Sequence, residues 1–169
     1  IGANVTITNC TNNGNITGAN YTAGVVGYIR GDGAVKNSSN TGKISGVSDV
    51  GGIVGYMQGY PGASSVTNCY NTGAVSGDGT TGGLVGNLYN GVTVTNCYNT
   101  GESTYAIAGN VYNKTAKVSN TYYLASASTE AVPASKMFDT ISVESKTSKA
   151  MSSEAFATLL GDAFQASCP

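Results

Sequence analysis

The sequence predicts an all-β fold, a right-handed parallel β-helix (β-solenoid) of about four coils with a small C-terminal helical cap. Three observations point there. An eight-residue motif, VTNCYNTG, occurs twice without change, at residues 66–73 and 94–101. A second motif, GGLVG at 82–86, keeps step with it. The apolar residues between them come as short, mostly β-branched runs set off by Gly, Asn, Ser and Thr, with no 3.6-residue period before Thr147.

Weaker copies of the first motif are ITNCTNNG at 7–14 and VKNSSNTG at 35–42, fading to VSNTYYLA at 118–125. Their anchor asparagines, Asn9, Asn37, Asn68, Asn96 and Asn120, lie 28, 31, 28 and 24 residues apart. The second motif reads AGVVG (23–27), GGIVG (51–55), GGLVG (82–86) and YAIAG (105–109). Its last glycine follows the anchor by 18 residues in three units and by 13 in the fourth, so one loop is shortened. A fixed period in this range means stacked units that bury their apolar faces only against one another. Each coil would pair with the next at roughly 4.8 Å.

Taken in order, residues 1–6 finish a preceding coil and residues 7 to about 119 form four more. Ile7, Val35, Val66 and Val94 fill one core slot, and Val25, Ile53, Leu84 and Ile107 another. Gly18, Gly46 and Gly77, each nine residues past an anchor, mark a corner of unusual backbone or close approach. The anchor asparagines suit left-handed corners, and their stacked amides can bond from coil to coil. The insertion GYPGAS at 59–64 maps to a loop. The chain thus divides into a solenoid of repeats at 1–124 and, at 125–169, an irregular segment with a capping helix. The irregular part holds one apolar pair, Met137 and Phe138. Met151, Ala155, Phe156, Leu159, Leu160 and Phe164 then fall at helix spacing, with Ser152 or Ser153 as N-cap and Gly161 as the stop. That helix is expected to close the open end of the stack, whose unpaired strand edges would otherwise invite aggregation.

Cys10, Cys69 and Cys97 occupy one repeat position, which Ser38 fills in the second unit. Stacking brings Cys69 beside Cys97 within reach of a disulfide, whereas Cys10 and Cys69, two coils apart at roughly 9–10 Å, are too far. The reading favoured over a disulfide framework is a ladder of small buried thiols interchangeable with serine. Cys168 lies near the end of the chain.

Charge is sparse, 10 % of residues with a net of −1. Arg30, Lys36 and Lys43 form only a loose basic neighbourhood, read as solvated surface, so a nucleic-acid partner is not expected. No apolar run approaches the ~20 residues of a membrane span, and no membrane insertion is expected. The abrupt start at Ile1 reads as a fragment or processed product of a larger polypeptide, whose other domains are the first expected partners. The chain has no histidine, which removes Ser–His–Asp and Cys–His catalysis and the usual zinc sites. No GxxxxGK[ST] phosphate loop occurs. Asp49 and Asp78, near one corner of neighbouring coils, are the best carboxylate pair, weak both as a catalytic pair and as a calcium site. No catalytic residue, metal or cofactor is assigned.

The paired NCYNTG and GGLVG motifs, with YYL and a MxxxxFxxLL tail after them, resemble the GLUG-motif repeats of bacterial surface and secreted proteins. Such repeats occur in large adhesin-like polypeptides and near the protease region of some immunoglobulin A peptidases. The resemblance implies a β-solenoid serving as stalk, spacer or binding surface, located outside the cell or on its surface, with any catalysis elsewhere in the polypeptide. The fourth unit departs from the pattern, with YAIAG in place of GGLVG.

Tyrosine supplies the candidate ligand site. Tyr70, Tyr98 and Tyr122 share the slot after the Cys/Ser/Thr position, and Tyr28 and Tyr56 share another after the GxVG glycine. Stacked rings with Asn and Thr nearby suit a neutral glycan, but the same ladders can serve stacking alone, the reading given more weight. Function is therefore expected to be that of a non-catalytic extracellular stalk, spacer or adhesion module. The alternative is a module that binds a cell-surface glycan or a host protein such as an immunoglobulin through these tyrosines. A β-helix carbohydrate-active enzyme is the distant third.

Overall fold

Each unit lays down its short strands in the same order, so that strands one unit apart pair side by side. A computed structural model describes residues 4–136 and 140–161. The first coil holds β1 (Val5–Thr8), β2 (Thr11–Asn12), β3 (Ile16–Thr17) and β4 (Val26–Arg30). The second holds β5 (Gly33–Lys36), β6 (Ser39–Asn40), β7 (Ile44–Gly46), β8 (Val50–Gly51) and β9 (Val54–Gln58). The third holds β10 (Ser64–Thr67), β11 (Tyr70–Asn71), β12 (Val75–Gly77), β13 (Thr81–Gly82) and β14 (Val85–Tyr89). The fourth is reduced to β15 (Val92–Asn99) and β16 (Ala108–Val111), after which come β17 (Lys117–Leu124) and β18 (Ile141–Lys146).

All pairings are parallel, and the fold is the β-solenoid that the repeats predict, with about four complete turns. The first core slot runs in register as Ile7–Val35–Val66–Val94–Val118–Ile141. Ile53, Leu84 and Ile107, in the second slot, are fully buried in the same core. Burying side chains of this size contributes about 1.5–3 kcal/mol each, and no unit could gather that much alone.

The corners explain the motif. Asn9, Asn37, Asn68, Asn96 and Asn120 all have positive φ, between 45° and 58°, a region Asn tolerates better than most residues. The residue after each anchor turns its side chain back onto the carbonyl before it, and at Lys36, Thr67 and Thr95 that carbonyl also accepts the anchor N–H of the preceding coil. Ser38 Oγ and Thr121 Oγ1 donate to the carbonyls two residues back at 2.8 Å, and Cys69 and Cys97 do so through sulfur at 3.3 and 3.2 Å. The slot needs a small donor, which is why Cys, Ser and Thr alternate there. Cys69 and Cys97 are buried free thiols, and burial pushes the Cys97 thiol well above its usual pKa. Cys10 does not fit the buried ladder: it lies in the first described coil, on whose outer side no described strand pairs, and it is exposed.

Two asparagine ladders run along the stack. The anchors bond outward, with Nδ2 of Asn68, Asn96 and Asn120 donating to Oδ1 of Asn37, Asn68 and Asn96 at 2.6–3.0 Å. The second ladder is buried and runs the opposite way: Asn12, Asn40 and Asn71 donate to Asn40, Asn71 and Asn99 at 2.7–2.8 Å. Each inner amide also donates to a carbonyl two residues on, that of Gly14, Gly42, Gly73 or Gly101. The two motifs meet here. A Cβ on Gly24 would lie 2.5 Å from Asn40, one on Gly52 2.5 Å from Asn71, and one on Gly83 2.2 Å from Asn99.

Past Leu124, where the motifs end, the stack continues. β18 pairs with β17, and the N–H groups of Ala106 and Ile107 donate to Glu130 and Ala131. Residues 125–131 are thus laid against the fourth coil despite their irregular sequence, because sheet pairing uses backbone groups that the faded motif does not encode. Two short helices follow, α1 (Ser148–Met151) and α2 (Glu154–Leu160), capped by Thr147 and Ser153, with Gly161 at φ +77° ending the second. Met137, Phe138, Phe164 and Cys168 lie outside the described residues.

Candidate functional site

Tyr70, Tyr98 and Tyr122 follow the inward Cys/Thr slot and so turn to the outer face of the sheet, one per coil and in register. The rings of Tyr70 and Tyr98 stack with centroids 5.0 Å apart and planes 4° from parallel. Rings in such contact leave no gap for a ligand between them. The C-terminal helices lie across this ladder. Phe156 meets Tyr98 at 6.0 Å and Tyr122 at 5.3 Å, both edge to face, and Leu160 and Met151 complete an apolar cluster with the three tyrosines. Tyr122 is buried beneath them, and its hydroxyl donates to Asn120 Oδ1 at 2.5 Å. Burial raises its pKa, and Glu144 adds to the effect. A cavity of about 510 Å³ remains between helices and ladder, with Tyr98, Phe156, Leu124 and Met151 among its walls and Thr72 and Thr100 at its rim.

Tyr28 and Tyr56 belong to a separate and longer array on the sheet β4–β9–β14–β16. They stack at 5.2 Å and 13°; Tyr89 continues the row from Tyr56 at 6.0 Å, and Tyr112 from Tyr89 at 4.0 Å. Tyr21 closes the other end, edge to face with Tyr28 and Tyr56 at 5.3 and 5.7 Å. Tyr21 and Tyr112 are 46 % and 54 % exposed, so the row ends in two open rings. Burial, then the neighbouring Tyr28, Tyr89 and Asp49, push the Tyr56 phenol up to about 12. Sequence reasoning found two of the five rings. It missed Tyr21, Tyr89 and Tyr112 because they sit at other repeat offsets, although Tyr89 and Tyr112 share one, three residues past Gly86 and Gly109.

The candidate carboxylates do not converge. Asp49 stands at φ +52° and its Oδ1 accepts from Thr80 Oγ1 at 2.5 Å and Asn87 Nδ2 at 3.0 Å, holding a corner together. Asp78 is exposed. Among the described residues no three His, Cys, Asp or Glu side chains gather as a metal site would need, and no helix is long and apolar enough to cross a membrane.

The family model of the GLUG motif matches residues 46–76, a span that holds one copy of each sequence motif. No curated protein matches the chain. Among solved structures, a crystal structure described as that of a candidate immunoglobulin A1 protease from Bacteroides ovatus has a TM-score of 0.50 with this chain. The match covers 92 % of this chain and 69 % of that one at 17 % identity, a likeness of fold alone.

Proposed function

We propose that this chain, whose residues 46–76 match the GLUG motif, is a non-catalytic β-solenoid module of a larger bacterial surface or secreted protein, acting outside the cell as a stalk or adhesion module. One observation carries this reading. The side chains that repeat most faithfully, the two asparagine ladders and the Cys/Ser/Thr slot, bond to neighbouring coils or to their own turns. Selection on such positions is selection for a rigid stack that adds length coil by coil. The other domains of the polypeptide are the partners such a module serves.

A second reading has its own support. The row Tyr21–Tyr28–Tyr56–Tyr89–Tyr112 crosses four coils with both end rings open, and exposed tyrosine suits a cell-surface glycan or a host protein such as an immunoglobulin. A glycan array that also carries immunoglobulins separates the two. The stalk predicts no saturable binding, and no turnover on a panel of acidic and neutral polysaccharides. Binding abolished by Tyr28→Ala with Tyr56→Ala, in a variant that keeps its melting transition, would replace the stalk with a recognition module. Binding lost only in Tyr70→Ala with Tyr98→Ala would place recognition at the helix-covered ladder.

A further inference from the structure

The shortened fourth unit leaves a mark on the surface. In the first three coils the residues after the inner asparagine form the sheet β3–β7–β12, one strand per coil. The fourth coil lacks the five residues that would supply the next strand, and its chain runs directly from Gly101 to Tyr105. That short cut is fixed in place. Asn99 Nδ2 donates to Gly101 O at 2.9 Å, Ser103 Oγ donates to Tyr105 O at 3.0 Å, and Ser128 Oγ donates to Ser103 O at 3.0 Å. Beside it opens a notch of about 480 Å³, with Lys43, Ala74, Val75, Glu102, Ser126 and Ala127 among its lining residues.

β12 borders this notch as an edge strand that pairs, among the described residues, only with β7. The N–H and C=O of one strand residue share an edge, and those of the next residue face the opposite one. Val75 N–H points away from β7, donating to Glu102 O at 2.8 Å. The Val75 carbonyl and both backbone groups of Gly77 therefore face the notch, where no strand is paired. The apolar ladder Ile16–Ile44–Val75 also ends there.

We propose that this notch is a docking site for an extended peptide segment of a partner protein, which adds to β12 as the strand the fourth coil lacks. Backbone of extended form is the chemistry that satisfies a row of strand-edge donors and acceptors, with small or β-branched side chains filling the notch. Lys43 and Glu102 at its margin favour a segment carrying one charge of each sign over a uniformly charged one.

The test is an amide NMR titration of the whole chain with the blocked peptide acetyl-KAVSGD-amide, residues 73–78 with Lys in place of the first Gly, so that it carries one charge of each sign. Shifts confined to Val75, Ser76, Gly77, Ser103 and Thr104, with slowed exchange of the Gly77 amide, are expected. The same peptide with Pro in place of Val loses a donor and an allowed strand conformation, and should bind about tenfold more weakly. A chain whose fourth loop is lengthened with five residues of the third fills the notch in cis and should not respond. No shifts at millimolar peptide, equal response to the Pro peptide, or undiminished binding by the lengthened chain would each overturn the proposal. So would self-association through this edge, which would make the occupant a second copy.

Discussion

At the scale of single residues, asparagine does two different jobs five or fewer positions apart. The anchors are chosen for their backbone: at φ 45–58° they turn the chain, and their amides bond along an outer surface. The inner asparagines are chosen for the side chain. Asn40, Asn71 and Asn99 are fully buried and linked into one chain of amides. An unmade hydrogen bond at such a site costs more than at the surface, because no water replaces the lost partner. Asn71→Ala should therefore lower stability by about 1–3 kcal/mol, seen as a fall of roughly 2–12 °C in thermal melting. A variant that melts with the parent protein would show that the ladder adds nothing to stability. Both asparagines repeat in the sequence, yet only the anchors could be given a role from it. The inner ones answer to Gly24, Gly52 and Gly83 in the coil before, a contact between distant positions that periodicity alone does not reveal.

At the scale of elements, the same contact explains why the fourth unit departs from the pattern. Ala106 occupies the place of Gly83, and Tyr123, in register with Asn99, occupies the place of the next inner asparagine. Where the amide ladder stops, the glycine that made room for it is no longer required, and a methyl group is fully buried instead. The two substitutions are one event. The helices teach the complementary lesson. The sequence predicts one helix from Met151 onward and misses the break that sets α1 apart behind its own cap, Thr147. The spacing, cap and stop of α2 were legible in the sequence, because those signals are local. The docking face of the helices was not, since an amphipathic stripe says only that something apolar lies opposite. That partner is the tyrosine ladder, flanking the stack. A chain ending at Lys146 should keep its strand-dominated circular dichroism while Tyr98 and Tyr122 become open to nitration. Loss of the strand signal in that chain would mean that the helices hold the stack together.

At the scale of the whole molecule, repetition made the architecture readable, while function was hardly readable at all. A coil needs the same residues wherever it sits, so those positions recur and announce themselves. A feature made only once leaves no such signal: the tyrosine row joins rings from three different repeat offsets, and the notch lies where one unit is shortened. Register and length should then behave as modular quantities. Inserting a second copy of residues 68–95, one full period, should give a folded chain with a higher melting temperature, longer by roughly 4.8 Å in solution scattering. An insert of half that length should put the core slots out of step and unfold the coils beyond it. If the one-period insert also unfolded them, the coils would not be interchangeable.

The opposed directions of the two asparagine ladders bear on how far such a stack can grow. In an α-helix every peptide dipole points the same way, and the ends accumulate partial charge. Here the outer amides donate toward the first coil and the inner ones toward the last. Backbone bonds between coils run both ways as well, as in Ile16 N–H to Lys43 and Ser39 N–H to Cys10. The stack therefore carries little polarity along its axis, so its ends stay electrically indifferent however many coils are added.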